Sequence, residues 1–363
     1  MSRVTQTPPL ARLLCWEAVT SLGESAMETA LLLRAGLSNV EASHFIDAQG
    51  RRVMLSAAPS LPSDLGGENR MVALASHALL GLMKKLDPQG QLGSRRRPLQ
   101  VLLALPERFS TSETNSALTS EGRYFLKALR ATLPPILSEI EFEVFPFGRA
   151  AGAVALQRAL QLVDADRIVI WGGVDTLHEW SVLEALEATD RLLTQDNIDG
   201  IRPSEGAAFA AIGPSHAAGD VEVLALGLGR EPHPIGSDQP CLSVGLSLAL
   251  EAALAPLRAT QSRSNCWLLD NSHEVYATQE LQNIIARFGD ALGLQAQLQM
   301  PLKELGDVGA AAMPLLAVLG AEAWRLGFAN DDTAVVTGCS DSGARGAMLL
   351  ASSTDTFQRA TGT

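Results

Sequence analysis

The chain has 363 residues, 47% hydrophobic and 19% charged, with 40 acidic against 28 basic side chains and a net charge of −12. That is apolar material enough for a sizeable core, in two or more ordinary domains or one large duplicated one. The acidic balance argues against nucleic acid, for which a basic face is expected, and more weakly against an acidic carrier protein, since one local basic patch can outweigh a total.

The opening segment MSRVTQTPPL has no apolar core long enough for a secretion signal. Four cysteines, Cys15, Cys241, Cys266 and Cys339, stand far apart with no C-x-x-C pair. That is the usage of a reduced cytoplasmic protein, not of a disulfide scaffold or a zinc site. The most apolar helical stretch, Leu242 to Leu257, is interrupted by Glu251 and Pro256 and is too short to span a bilayer. A cytoplasmic protein without a membrane partner, cofactor or metal is expected.

Short runs rich in Val, Ile and Leu alternate with longer helical patterns. In chain order, the pattern predicts a helix near Glu24–Ala35, a strand at Arg52–Ala57, a helix at Glu68–Leu86 and a strand at Leu99–Leu105. A helix at Glu121–Thr132, a strand at Glu141–Phe147, a helix at Ala150–Val163, a strand at Arg167–Trp171, a helix at Ser181–Leu193 and a strand at Ala207–Ile212 follow. The second series is a strand at Val221–Leu228, a helix at Leu242–Arg258, a strand at Cys266–Leu269, helices at Thr278–Leu292 and Met313–Phe328, and strands at Ala334–Thr337 and Ala347–Ala351. Such alternation means α/β with parallel or mixed sheets.

Two helices open with tiny side chains, Ala150-Ala-Gly-Ala-Val-Ala-Leu156 and Gly309-Ala-Ala-Ala-Met-Pro-Leu315. Small residues on most faces suit a helix pressed from both sides, as between two sheets. The feature occurs once in each half of the chain. A duplicated βαβαβ unit is therefore expected, with halves 1–215 and 216–363 joined near Gly213-Pro-Ser-His-Ala-Ala-Gly219.

The residues at this point resemble the β-ketoacyl synthase branch of the thiolase superfamily. Trp171-Gly-Gly-Val-Asp-Thr176 is followed by Asp196-Asn-Ile-Asp-Gly-Ile-Arg-Pro-Ser-Glu-Gly-Ala-Ala208, like the G-G-V-D/E and D-G-x-x-x-x-E-G-A segments of ketosynthases. Glycine serves there because backbone passes closely or takes positive φ. Thr20-Ser-Leu-Gly-Glu-Ser-Ala26 with Arg34-Ala-Gly36 looks like the family's opening. Gly306-Asp-Val-Gly-Ala-Ala-Ala312 is similar to its G-H-x-x-x-A-A segment, and Gly338-Cys-Ser-Asp-Ser-Gly-Ala-Arg-Gly346 to its closing glycine loop. The resemblance runs from about residue 14 to 352. It implies a thiolase-like fold of two βαβαβ halves in five layers, αβαβα.

It also implies a cysteine nucleophile at a strand-to-helix turn, where the helix N-terminus lowers the thiol pKa and amides form an oxyanion hole. That turn reads Pro146-Phe-Gly-Arg-Ala150 here, with no Cys, Ser or Thr. A pair of histidines should polarise the malonyl thioester and stabilise the enolate. The first belongs after Cys266–Leu269, where Leu269-Asp-Asn-Ser-His-Glu274 places His273 about three residues late. The second belongs after Gly306, where Asp307 would repel an enolate. All three positions depart from the pattern.

Four residues remain as members of a degenerate pocket: Arg149, His273, Asp307 and Cys339. Cys339 is a nucleophile or, more commonly for its type, an inert buried thiol. Arg149 binds an anion, plugs the pocket or pairs with Asp307. Leu226-Gly-Leu-Gly-Arg230 lacks the third glycine of a nucleotide fingerprint and reads as a strand. Arg95-Arg-Arg97 is a solvated loop or an interaction patch. Trp171, Trp180, Trp267 and Trp324 are expected in or near the core. In the family the Glu141–Phe147 strand pairs with its own copy; Glu141 and Glu143 oppose that homodimer unless countered.

Three functions follow. The chain is a non-catalytic adaptor, scaffold or chaperone, as in the thiolase-like proteins of type VI secretion clusters, which Leu22-Gly-Glu-Ser-Ala-Met-Glu-Thr29 with Arg34-Ala-Gly-Leu37 resembles. Or it is the silent, chain-length-factor type subunit of a ketosynthase pair. Or it is an acyl-thioester enzyme using His273, Asp307 or Cys339, which requires those groups to converge. In the first two the partner is another protein.

Overall fold

A computed structural model describes residues 8–88, 98–112, 115–134, 140–163, 167–271 and 273–353; the run Arg95-Arg-Arg97 lies outside them. Among the described residues, five strands of the main sheet precede residue 215: β1 (Ala11–Thr20), β4 (Gln100–Ala104), β7 (Glu141–Phe145), β8 (Val169–Thr176) and β9 (Glu205–Gly213). Five follow it: β10 (Val221–Arg230), β11 (Ser264–Leu268), β12 (Leu292–Gln299), β13 (Thr333–Cys339) and β14 (Ala344–Ser352). Hydrogen bonds order them β12-β11-β13-β14-β10-β1-β9-β8-β4-β7. Counted within each set, both orders read 3-2-4-5-1, with the fifth strand antiparallel to its neighbours on either side. The sets join where β1 meets β10, over only Ala11–Leu13. Two hairpins lie apart from this sheet, β2 (Glu41–Ile46) with β3 (Arg52–Leu55) and β5 (Ser110–Ser112) with β6 (Asn115–Leu118).

The helices are α1 (Ala26–Arg34), α2 (Gly67–Leu86), α3 (Ser120–Thr132), α4 (Ala151–Leu162), α5 (Trp180–Ala188), α6 (Val244–Ala253), α7 (Ala255–Ala259), α8 (Val275–Phe288), α9 (Leu302–Leu305) and α10 (Ala312–Arg325). The small-residue helices form the middle layer. α4 packs on β4, β7 and β8 and also on β10, β13 and β14; α10 packs on β1, β8 and β9 and also on β11, β13 and β14. α2 and α3 cover one outer face, and α6, α7 and α8 the other. The result is five layers, αβαβα.

Tiny side chains are what bring these layers together. A Cβ on Gly152 of α4 would come within 2.8 Å of the Pro314 ring of α10. In the Gly-Gly-Val-Asp segment, a Cβ on Gly173 would meet the Ala310 carbonyl at 2.5 Å, and one on Gly172 the Ala208 carbonyl at 2.4 Å. The Gly-x-Gly of residues 227–229 belongs to β10, and its glycines admit the α6 backbone directly onto the strand.

Several expectations are corrected. The strand at 52–57 pairs only with β2, outside the main sheet. The helix placed at 242–258 is two, broken at Leu254 because Pro256 in the first turn of α7 has no N–H for the preceding turn. The helix placed at 278–292 stops at Phe288, and β12 begins at Leu292. Trp171, Trp267 and Trp324 are core residues, but Trp180 is 53% exposed. It opens α5 at the surface and stacks on Phe45 of the β2–β3 hairpin at 6.1 Å. No helix among the described residues is long and apolar enough to cross a membrane.

Gly227→Ala tests the contact most directly, because its Cβ would stand 1.9 Å from the Ala249 carbonyl of α6. Backbone cannot yield as a side-chain tip can, so the variant should lose about 2–3 kcal/mol, read as a lower urea midpoint at unchanged slope. Gly66→Ala, which meets nothing within 4 Å, should stay within about 0.5 kcal/mol.

Candidate functional site

β7 delivers the chain to a turn at Phe147, after which a single 3-10 turn, Gly148–Ala150, leads into α4. Gly148 sits at φ +67°, and a Cβ there would press on Glu107 at 2.9 Å, so the turn requires glycine. The amide of Ala150 stands at the head of α4, where the resemblance implies an oxyanion donor. It donates instead to Ser340 Oγ at 2.8 Å, and that hydroxyl donates to the Phe147 carbonyl. The amide is already satisfied.

Arg149 lies in the same turn. Its Nε donates to Asp307 Oδ1 and Oδ2 at 3.2 and 3.0 Å, its Nη2 to Asp307 Oδ2, and its Nη1 to Asp341 Oδ1 at 2.8 Å. Asp307 is 2% exposed and also accepts from the Gly309 amide at 2.8 Å. Asp341, from the β13–β14 loop, is shared with Arg191, which donates to Asp341 Oδ2 at 2.7 Å and to Glu274 Oε1 at 2.7 Å. The charges therefore alternate along Asp307, Arg149, Asp341, Arg191 and Glu274. Burial works against the Arg149 charge, but Asp307 and Asp341 outweigh it and hold the guanidinium protonated. Burial likewise raises Asp341, yet Arg149 and Arg191 pull it well below the usual carboxylate range.

Cys339 ends β13. Its amide donates to Asp270 Oδ2, and Asp270 also accepts from Thr337 Oγ1 at 3.0 Å. Burial, then the Asp270 and Glu280 carboxylates, pushes the Cys339 thiol well above its ordinary pKa, the reverse of what a nucleophile needs. Cys339 and Arg149 line one cavity with Asp270, Tyr276, Glu280 and Arg345. Its volume is about 40 Å³, room for a few waters and far below a ligand pocket. His273 stands elsewhere, against Arg202 and the Lys303 backbone, where burial and those two cations lower its pKa. No hydrogen bond or ion pair among the described residues joins His273 to Arg149, Asp307 or Cys339. So Arg149 and Asp307 meet, Cys339 shares a cavity with Arg149, and His273, beside Arg202 and Lys303, shares no hydrogen bond or ion pair with them among the described residues.

Glu205, the glutamate of the D-G-x-x-x-x-E-G-A segment, is fully buried. Burial alone would raise its pKa, but Arg70 reverses this, donating through Nε and, at 2.7 Å, through Nη2. It also accepts from Thr176 Oγ1 at 2.9 Å and from the Ala58 amide at 2.7 Å. Asp175 of the Gly-Gly-Val-Asp segment accepts from the Ala310 amide at 3.0 Å and pairs with Arg108 at 2.9 Å, fixing the start of α10. Both motif carboxylates are structural ties here.

With this geometry in place, the comparisons are informative about architecture. The sequence matches no known family model, and no curated protein matches it. Solved structures do. A type II PKS acyl-carrier protein in complex with its ketosynthase matches at TM-score 0.73 and 14% identity, over 95% of this chain and 100% of that one. The fold is the ketosynthase fold. A ketosynthase in complex with its chain length factor from Xenorhabdus doucetiae matches at TM-score 0.70 and 12% identity, over 94% and 98%. The ishigamide ketosynthase/chain length factor matches at 0.64 and 19%, over 94% and 99%. At these identities the likeness carries the ketosynthase architecture, αβαβα, and nothing of activity.

Sequence reasoning did not single out Asp341, Arg191, Glu274 or Ser340. Asp341 and Ser340 stood inside the quoted glycine loop, and Glu274 next to His273. Arg191 lies 150 residues from Asp341, and no spacing rule joins such a pair.

Arg149→Ala leaves Asp307 buried without a cation and should cost about 3–5 kcal/mol by chemical denaturation; Arg149→Met with Asp307→Asn should recover most of it. Because Asp341 is depressed in the folded state, its stabilisation is complete above the unfolded carboxylate pKa of about 4 and lost as pH falls below it. The melting temperature of Asp341→Asn should therefore fall less steeply between pH 5 and 3 (about one unit either side of that value) than that of the parent.

Proposed function

We infer that this chain is a catalytically silent protein of the ketosynthase fold that works by binding another protein. The observation that carries the reading is the Arg149 clamp. At the strand-to-helix turn where a condensing enzyme needs a thiolate, a guanidinium is held between Asp307 and Asp341, and the helix-head amide is taken by Ser340. Condensation needs groups whose interactions are completed only in the transition state. Here they are completed in the resting protein. Treating residues 1–215 and 216–363 as halves of a duplicated unit fits the matching strand orders, and the clamp then bridges the halves.

Two partners are consistent with this reading. The opening segment Leu22–Thr29 resembles thiolase-like proteins of type VI secretion clusters, which supports an adaptor, scaffold or chaperone for an effector. The solved neighbours include ketosynthases paired with a chain length factor, which supports the silent half of such a pair. The edge strand β7 is compatible with assembly, because Glu143 is countered by Arg158 at 3.0 Å and by Gln100 at 2.9 Å. An acyl-thioester enzyme is disfavoured by the raised Cys339 pKa and the small cavity.

Incubated with acetyl- or malonyl-coenzyme A and examined by intact mass and thiol release, the purified protein should form no acyl adduct and liberate no coenzyme A. An acyl group on any cysteine, or turnover, would sink the reading. Affinity capture from the native organism then chooses the branch, by recovering a secretion effector or a catalytic ketosynthase.

A further inference from the structure

Behind Cys339 lies a buried charge imbalance that the clamp does not use. Glu231, at the start of the loop after β10, is 1% exposed, and Glu280 on α8 is 3% exposed. Glu231 Oε2 accepts from the Gly245 amide at 2.9 Å, but Oε1 is buried with no hydrogen-bond partner. Cys241 joins them, its Sγ 3.9 Å from Glu280 Oε1. One ligand atom each from Glu231, Cys241 and Glu280 all lie within 4.8 Å of one another. Asp270, 6% exposed, adds its charge nearby. Against these three carboxylates stands Arg345, 2.9 Å from Glu280 Oε1 and also bonded to Tyr276 Oη at 3.1 Å. One guanidinium balances only one carboxylate, so the others must be protonated or partnered, because an uncompensated buried charge is costly.

We propose that Glu231, Cys241 and Glu280 form a binding site for a divalent transition metal of the zinc class. The orphaned Glu231 oxygen supplies an open ligand position, and a dication would neutralise what Arg345 leaves. A thiolate with two carboxylates suits zinc or cobalt better than magnesium or calcium, which favour oxygen-only shells. Ligand atoms around tetrahedral zinc stand roughly 3.5 Å apart, so the set needs to close by about an ångström. Binding would displace the Cys241 proton to solvent. Glu280 also lines the cavity of about 40 Å³, which has room for a water. The cysteine spacing gave no sign of the site, because its ligands come from the end of β10, the α6 lead-in and the middle of α8. It is independent of whether the clamp has silenced the fold.

Cobalt(II) titrated into the metal-stripped full chain is the test. One ion per chain should bind with a thiolate-to-cobalt charge-transfer band in the near ultraviolet, displaced by zinc. Cys241→Ser should abolish the band, and Glu231→Gln should weaken binding by more than about 10-fold, the least that loss of even an outer partner costs. Either variant decides the matter if the other does not fold. No band in the parent, a band that survives Cys241→Ser, or affinity unchanged in Glu231→Gln would overturn the proposal.

Discussion

The pairing of Arg149 with Asp307 is the constraint around which this molecule is organised. Asp307 is almost wholly buried, and a buried carboxylate is tolerable only beside a cation with good hydrogen bonds. Arg149 supplies both, and in doing so locks the β7–α4 turn of the first strand set to the loop before α10 in the second. Asp341 then ties the same guanidinium to the β13–β14 loop. Three loops from distant parts of the chain meet on one side chain. Residues 149 and 307 are thus coupled. Replacing Arg149 by cysteine would leave Asp307 buried without a cation, whereas replacing Asp307 by histidine would leave Arg149 paired with Asp341 alone.

The clamp depends in turn on how closely the layers approach. α4 and α10 carry alanine and glycine because sheets press on both, and Gly152 lets the two helices touch. Gly309 shows how little tolerance there is: a Cβ there would fall 2.0 Å from Asp175 Oδ2, the oxygen that receives the Ala310 amide. Asp307 can reach Arg149 because the chain on either side of it is this tightly fixed, by the Ser204 and Asp307 backbone bonds on one side and the Gly309 turn on the other.

Much of this was legible in residues. Val- and Ile-rich runs alternating with helical periods gave the strands that became β4, β7, β8 and β9, and the tiny-residue openings marked α4 and α10. β1 escaped notice because Arg12 and Glu17 break its apolar run; Glu17 is nonetheless buried, satisfied by the Ala18 and Ala26 amides and by Lys85. β12 alternates from Leu292 to Gln299, but beyond Leu292 it was given no element; Leu294 is 96% exposed, while Leu292 and Leu298 are only partly buried against the core that α8 covers. At the site, the absent nucleophile could be read directly, and Asp307 was already among the partners open to Arg149. Asp341, Arg191 and Glu274 could not be read, because long-range ion pairs leave no periodic trace.

Chemistry needs a group whose bonding is incomplete until substrate arrives. At the turn before α4, among the described residues, none of the buried side-chain atoms left without a hydrogen bond belongs to Arg149, Asp307, Ser340 or Asp341. To receive an anion Arg149 would have to release two carboxylates, and to receive an oxyanion the Ala150 amide would have to release Ser340. Each exchange gives up an interaction already made in a low-dielectric site, where it is strongest. Incomplete bonding persists elsewhere, at Glu231 Oε1 beside Cys241 and Glu280 and at His178 Nε2, buried in a residue that lines a cavity of about 670 Å³. His178 is held neutral there by burial, with a pKa of about 4, so what it offers at neutral pH is a hydrogen bond and not a charge. Among the described residues, the unmet hydrogen-bonding groups thus lie outside the Arg149 clamp.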